Sequence, residues 1–124
     1  MTIHESGEMY LESILVLSRS IANVRAIDIV NHTGYSKPSI SRALGLLKKD
    51  CMVTVDDNGY ITLTDEGKAH AIKIYERHSI LTTYFEHLGV SHDVAASDAC
   101  KIEHVISDET FDKIKAQVLM FSQQ

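Results

Sequence analysis

Two short runs that alternate in polarity, Val53-Thr54-Val55 and Tyr60-Ile61-Thr62-Leu63, flank Asp56-Asp57-Asn58-Gly59, and this segment most narrows the folds open to the chain. Asn-Gly tolerates the positive φ values of a tight hairpin turn, so the pattern predicts two antiparallel strands. An isolated hairpin is marginal in water and must pack against something. Its neighbours in the sequence all read as helix. The result is a mainly α chain with one small sheet.

Three helical segments precede the hairpin. Glu8 to about Ser20 places Leu11, Ile14, Leu15 and Ser18 at helical spacing. Arg25 to His32 forms a short second helix, with Ile27 and Val30 expected inward. Thr33-Gly34-Tyr35 breaks it. Ser36 is suited to cap a third helix, and Pro38 falls in its first turn, where the missing N–H costs nothing. That helix is expected to reach about Asp50, burying Ile40, Ala43, Leu44 and Leu47. After the hairpin, Thr64 opens a long helix that could run to Leu88 and stop at Gly89. Ser91 opens another, reaching about Ile106. Ser107 caps the last, with Phe111, Ile114 and Val118 inward. Cys51, at the start of the hairpin, reads as a packing residue.

Three helices followed by a hairpin make a winged helix-turn-helix, whose third helix enters the DNA major groove. Here that helix offers Ser36, Lys37, Ser39, Ser41 and Arg42, short hydrogen-bonding groups and cations of the kinds that meet base edges and phosphates. Arg42 could pair with guanine or clamp a phosphate. The hairpin tip, Asp57 and Asn58, is not basic, so the wing should contribute little. Charge agrees. The net charge is −5, yet residues 19–50 hold Arg19, Arg25, Lys37, Arg42, Lys48 and Lys49 against only Asp28 and Asp50. A basic segment on an acidic body suits a module that faces phosphates.

The second half carries Cys100-x-x-Glu103-His104. On a helix these three would share one face, bringing a thiol, a carboxylate and an imidazole to one spot. Few folds gain stability from such a trio, but a transition metal does. An enzyme reading built on Cys100 and His104 lacks an oxyanion element, a phosphate loop and a third orienting group, and we expect no catalysis. A thiol-based redox regulator on the same fold is the principal alternative. Two cysteines are too few for a disulfide framework, no apolar run approaches the roughly 20 residues of a membrane span, and Met1 to Met9 is unlike a secretory signal. A cytoplasmic protein is expected.

The chain resembles the diphtheria-toxin-repressor family of metal-dependent transcriptional regulators. The resemblance rests on Glu8-Met9-Tyr10-Leu11-Glu12, Ser36-Lys37-Pro38-Ser39-Ile40-Ser41, Leu63-Thr64-Asp65-Glu66-Gly67, Glu76-Arg77-His78 and the run from Asp98 to Glu109. It implies a winged helix-turn-helix over 1–66 and a helical metal-binding and dimerisation domain over 67–124. It looks like the short form, without an SH3-like domain. It also implies a homodimer on a palindromic operator, with a divalent metal as corepressor.

By the same resemblance Met9, Cys100, Glu103 and His104 hold the regulatory metal, and Glu12 with His78 is a candidate second site. The segment Ser36 to Arg42, Pro38 included, meets DNA. Manganese-sensing relatives carry carboxylates where this chain has Met9 and Cys100. The sulfur pair therefore points to Fe(II), with Mn(II) the alternative. Thr82 and Ala96 stand where iron-type relatives place further ligands, which depletes an iron-type second site. His4, His32, His70, His87 and His92 match no ligand position.

Overall fold

A computed structural model describes residues 5–121, with side chains from Gly7 onward; His4 lies outside the described residues. The element order is α1 (Glu5–Ser18), α2 (Ala26–Thr33), α3 (Lys37–Lys49), β1 (Val53–Val55), β2 (Ile61–Leu63), α4 (Asp65–His87), α5 (His92–Ile102) and α6 (Asp108–Phe121). The chain divides into two compact units, Met1–Ile72 and Lys73–Gln124.

The first unit is a winged helix-turn-helix. Leu11 and Ile14 of α1, Ile29 of α2, and Ile40 and Leu47 of α3 are buried and form its core. Helix α2 turns Ile29 inward and leaves Ile27 exposed, so of the two residues expected inward only Val30 is covered, and that one by half. Eight residues give little periodicity, and the packing of the neighbours decides which side is covered. Gly34 ends α2 in the left-handed region, its N–H donating to the Val30 carbonyl. Ser36 caps α3 as expected, its Oγ accepting from the Ser39 N–H at 3.3 Å.

The hairpin pairs Val53 with Leu63 and Val55 with Ile61. The Ile61 N–H also donates to the Val24 carbonyl at 2.7 Å, which ties the wing to the segment before α2. At the tip, Asp56 Oδ1 accepts from the backbone N–H groups of Asn58 and Tyr60, both at 2.9 Å. The tip is thus an acidic turn closed on itself.

The joint between hairpin and α4 is tight. Thr64 Oγ1 accepts from the Gly67 N–H at 3.0 Å and donates to the Cys51 carbonyl at 2.7 Å. A Cβ on Gly67 would sit 1.9 Å from the Met52 carbonyl oxygen, so only glycine fits there. Helix α3 ends in a Schellman motif, with the Cys51 N–H on the Lys48 carbonyl and the Met52 N–H on the Leu47 carbonyl. Cys51 takes the left-handed position at φ 60 and is exposed, so it does not serve as the packing residue its sequence position suggested.

The second unit comprises the remainder of α4 with α5 and α6. Helix α4 ends in a Schellman motif of the same kind, here with Gly89 at φ 104. Leu81, Ala95, Ala99, Phe111 and Val118 are buried. Helix α5 stops at Ile102, short of the expected end near Ile106. Arg77 holds the turn that follows. Its Nη1 donates to the carbonyls of Glu103 at 3.3 Å and Ile106 at 2.8 Å, and its Nη2 pairs with Asp108 at the start of α6. A buried guanidinium thus satisfies carbonyls left without a helical partner where α5 has ended. Among the described residues, no helix is long and apolar enough to cross a membrane.

Candidate metal centre and nucleic-acid interface

The face expected to meet DNA is on the surface. Ser36, Lys37, Pro38, Ser41 and Arg42 are exposed and Ser39 is half-buried. The Ser36 hydroxyl donates to Ser39 Oγ at 2.9 Å, and Arg42 Nη2 reaches that same oxygen at 3.5 Å. The first turn of α3 is thus pre-formed, with Lys37 and Arg42 extending from it. Burial pushes the Tyr10 phenol above its ordinary pKa, with Tyr35 adding to the rise and Arg42 opposing it. That phenol stays neutral beside the helix.

Arg25, counted in the sequence only within the basic segment, is held against the wing. Its guanidinium lies 4.7 Å from the centre of the Tyr60 ring and donates to the Tyr60 hydroxyl at 3.1 Å. A cation at the start of α2 is thereby fixed to the wing. No local pattern joins two residues so far apart in sequence.

In the first unit, Met9 and Glu12 lie one turn apart on α1, both half-buried. The Tyr35 hydroxyl donates to Met9 Sδ at 3.6 Å. His70 is 2.8 Å from Glu8 Oε2, a pairing that gives it a role away from the expected ligands.

In the second unit, three expected donors converge. Glu103 is 1% exposed. Its Oε2 lies 2.9 Å from His78 Nδ1 and its Oε1 lies 3.3 Å from His104 Nε2. A buried carboxylate therefore stands between two imidazoles, one contributed by α4 and one by the turn after α5. Arg77, next to His78 in sequence, binds the Glu103 backbone carbonyl and so holds the turn that carries both Glu103 and His104.

Cys100 is on α5 and exposed. Because α5 ends at Ile102, Glu103 is its C-cap and His104 lies in the following turn. The trio thus does not share one uninterrupted helix face. The Thr82 hydroxyl donates back to the His78 carbonyl at 2.7 Å, a bond that an acidic residue at that position would not make. His87 stacks on Phe121 with centroids 3.7 Å apart, and His92 faces Glu86 at 3.3 Å.

The donor chemistry fits a divalent transition metal. Carboxylate oxygen and imidazole nitrogen side by side are the first-row transition-ion set, and burial of the carboxylate makes a nearby cation valuable. Hard ions that want all-oxygen cages fit poorly. Glu103 has both oxygens engaged, which fixes its orientation as a supporting shell would.

Comparison with known proteins agrees with this chemistry. Residues 64–123 match the family described as iron dependent repressor, metal binding and dimerisation domain. The chain is similar to the transcriptional regulator MntR of Escherichia coli O6:H1, 32% identical over 106 residues, covering 86% of this chain and 68% of the relative. It is similar to the iron-dependent repressor IdeR of Mycobacterium leprae, 26% identical over 85% of this chain and 46% of that protein. Its backbone follows that of a manganese-dependent transcriptional repressor solved in complex with manganese. The TM-score is 0.81 at 28% identity, covering 90% of this chain and 52% of that one. The chain thus spans about half the length of that solved relative.

Proposed function

Because the chain belongs to the diphtheria-toxin-repressor family of metal-dependent transcriptional regulators, we propose that it is a repressor that grips an operator when a divalent metal is bound. The observation that carries this reading is the buried Glu103 between His78 and His104, in a chain that also presents a basic, pre-capped recognition helix. We assign the regulatory site to Met9, Cys100, Glu103 and His104, and a second site to Glu12 and His78. The DNA face is Ser36 to Arg42.

An ion bound by these donors would supply positive charge and a fixed coordination geometry, and it would draw together segments that are distant in sequence. The chain's own residues do the rest. Arg77 holds the turn, and Glu103 and His104 present oxygen and nitrogen from it. Ser36 and Ser39 keep the first turn of α3 in shape for the groove. Lys37 and Arg42 carry the charge that phosphates require. Operator affinity and metal affinity rise together, since linkage makes the coupling reciprocal.

Exposed apolar side chains in the second unit, among them Val94, Val105, Leu119 and Met120, support a homodimer, and two copies suit a palindromic operator. We place the protein in the cytoplasm. The sulfur donors Met9 and Cys100 favour Fe(II). Mn(II) is the alternative, and the manganese-bound relative speaks for it.

The test is selection of duplexes from a random DNA pool under anaerobic conditions, with Fe(II) or Mn(II) present, followed by titration of the selected duplex. A palindrome bound at least tenfold more tightly with one of the ions is expected, and Cys100→Ala should remove that gain while leaving the dimer folded. Equal affinity with and without both ions would overturn the proposal. Release by peroxide with no metal dependence would point instead to thiol-based control.

A further inference from the structure

Met9 is a flexible residue to ask for a defined ligand geometry. Its side chain has three rotatable bonds and a soft, weakly accepting sulfur. In this chain the sulfur is held. The Tyr35 hydroxyl donates to Met9 Sδ at 3.6 Å. Tyr35 is itself fixed at both ends. Its ring packs edge-on against Tyr10, with centroids 6.0 Å apart and planes at 67°. Its backbone N–H donates to Thr33 Oγ1 at 3.2 Å. It stands between Gly34, at φ 79, and Ser36, the cap of α3. Met9 borders a cleft of about 490 Å³ lined also by Tyr10, Tyr35, Ser39, Arg42 and Leu46.

We propose that Tyr35 is a positioning residue for the thioether of Met9, holding one sulfur lone pair so that the other is aimed for a soft metal ion. The inference rests on the assignment of Met9 as a ligand. A thioether sulfur has two lone pairs, and a hydroxyl donor occupies only one. Fixing the side chain in advance removes a rotamer cost that ion binding would otherwise meet. Supporting partners of this kind commonly change metal affinity about 10–100-fold.

The position of Tyr35 adds a consequence. It immediately precedes the cap of the recognition helix, so a pull on the Met9 sulfur is felt at the first turn of α3 through one hydroxyl. That gives a short route from ligand to reading surface inside the first unit.

The test uses the full chain and four proteins: wild type, Tyr35→Phe, Met9→Ala and the double variant. Affinities for Cd(II), a soft ion without redox chemistry, are measured by competition with a chromogenic chelator. Urea unfolding of each metal-free protein is followed alongside. Tyr35→Phe keeps the ring that packs on Tyr10. It should weaken Cd(II) binding about tenfold, have no further effect when Met9 is already Ala, and leave the metal-free urea midpoint unchanged. If Met9→Ala weakens binding and Tyr35→Phe does not, the positioning role is wrong and the Met9 assignment stands. If Met9→Ala leaves Cd(II) affinity unchanged, both fall. An equal Tyr35→Phe loss in both backgrounds, with a lowered urea midpoint, would mean a packing role and would also overturn the inference.

Discussion

The two units hold themselves together by different means. The first is a mainly apolar core, with Leu11, Ile14, Ile29 and Ile40 buried and Ser13 its one buried polar side chain among the described residues. The second places a carboxylate and a guanidinium where the first has leucine and isoleucine: Glu103 at 1% and Arg77 at 7% exposure. Charged groups are rarely so buried unless they are paired, and both of these are. The lesson concerns where change can be tolerated. In the first unit, shape is what must be kept. In the second, it is the pairing of polar groups, and that pairing is what a cation can exploit.

The sharpest way to break the first half of this comparison is Gly67→Ala. The new methyl carbon would fall 1.9 Å from the Met52 carbonyl oxygen, and backbone cannot step aside as a side chain can. A loss of about 3 kcal/mol is expected, at the upper end for overpacking. Urea unfolding measures it, and a loss below about 1 kcal/mol would show that the hairpin–α4 joint is looser than described.

Next in size is Arg77→Met, which keeps much of the bulk and removes the donors. The carbonyls of Glu103 and Ile106 lose their charged partner, at a cost of about 2 kcal/mol. Because the turn carrying Glu103 and His104 then loosens, Cd(II) affinity should fall about tenfold as well. Thermal unfolding and chelator competition read the two effects separately. A destabilised protein with unaltered metal affinity would detach Arg77 from the site and weaken the contrast between the units.

The smallest effect has the opposite sign. Helices α3 and α4 end in the same Schellman geometry, one with Cys51 and the other with Gly89 in the left-handed position. Cys51→Gly removes the steric penalty on a Cβ there and should stabilise the protein by about 1 kcal/mol. Unchanged or lowered stability in the urea midpoint would mean that Cys51 makes a contribution that offsets its strain.

Much of the first unit could be read from local signals. Asn58-Gly59, Ser36 before Pro38 and Gly34 act over a few residues, as Gly89 does in the second unit, and the elements they delimit are found close to where they were expected. Two of the errors share one cause. Ile27 and Ile29 compete for the same eight-residue helix, and the neighbouring helices settle which is covered. The end of α5 was misplaced by about four residues, and the group that holds the turn found there, Arg77, lies on another helix. Arg25 on Tyr60 and Tyr35 on Met9 are likewise pairs far apart in sequence.

The sequence by itself determined the residue types present, the order of helices and hairpin, and the family to which the chain belongs, because caps, turns and hydrophobic periods are short-range. Only the tertiary structure decided that Glu103 is buried between two imidazoles, that Arg77 holds the turn between two helices, and that a tyrosine hydroxyl meets the Met9 sulfur. Those facts depend on distances across the fold, and such distances are set by packing.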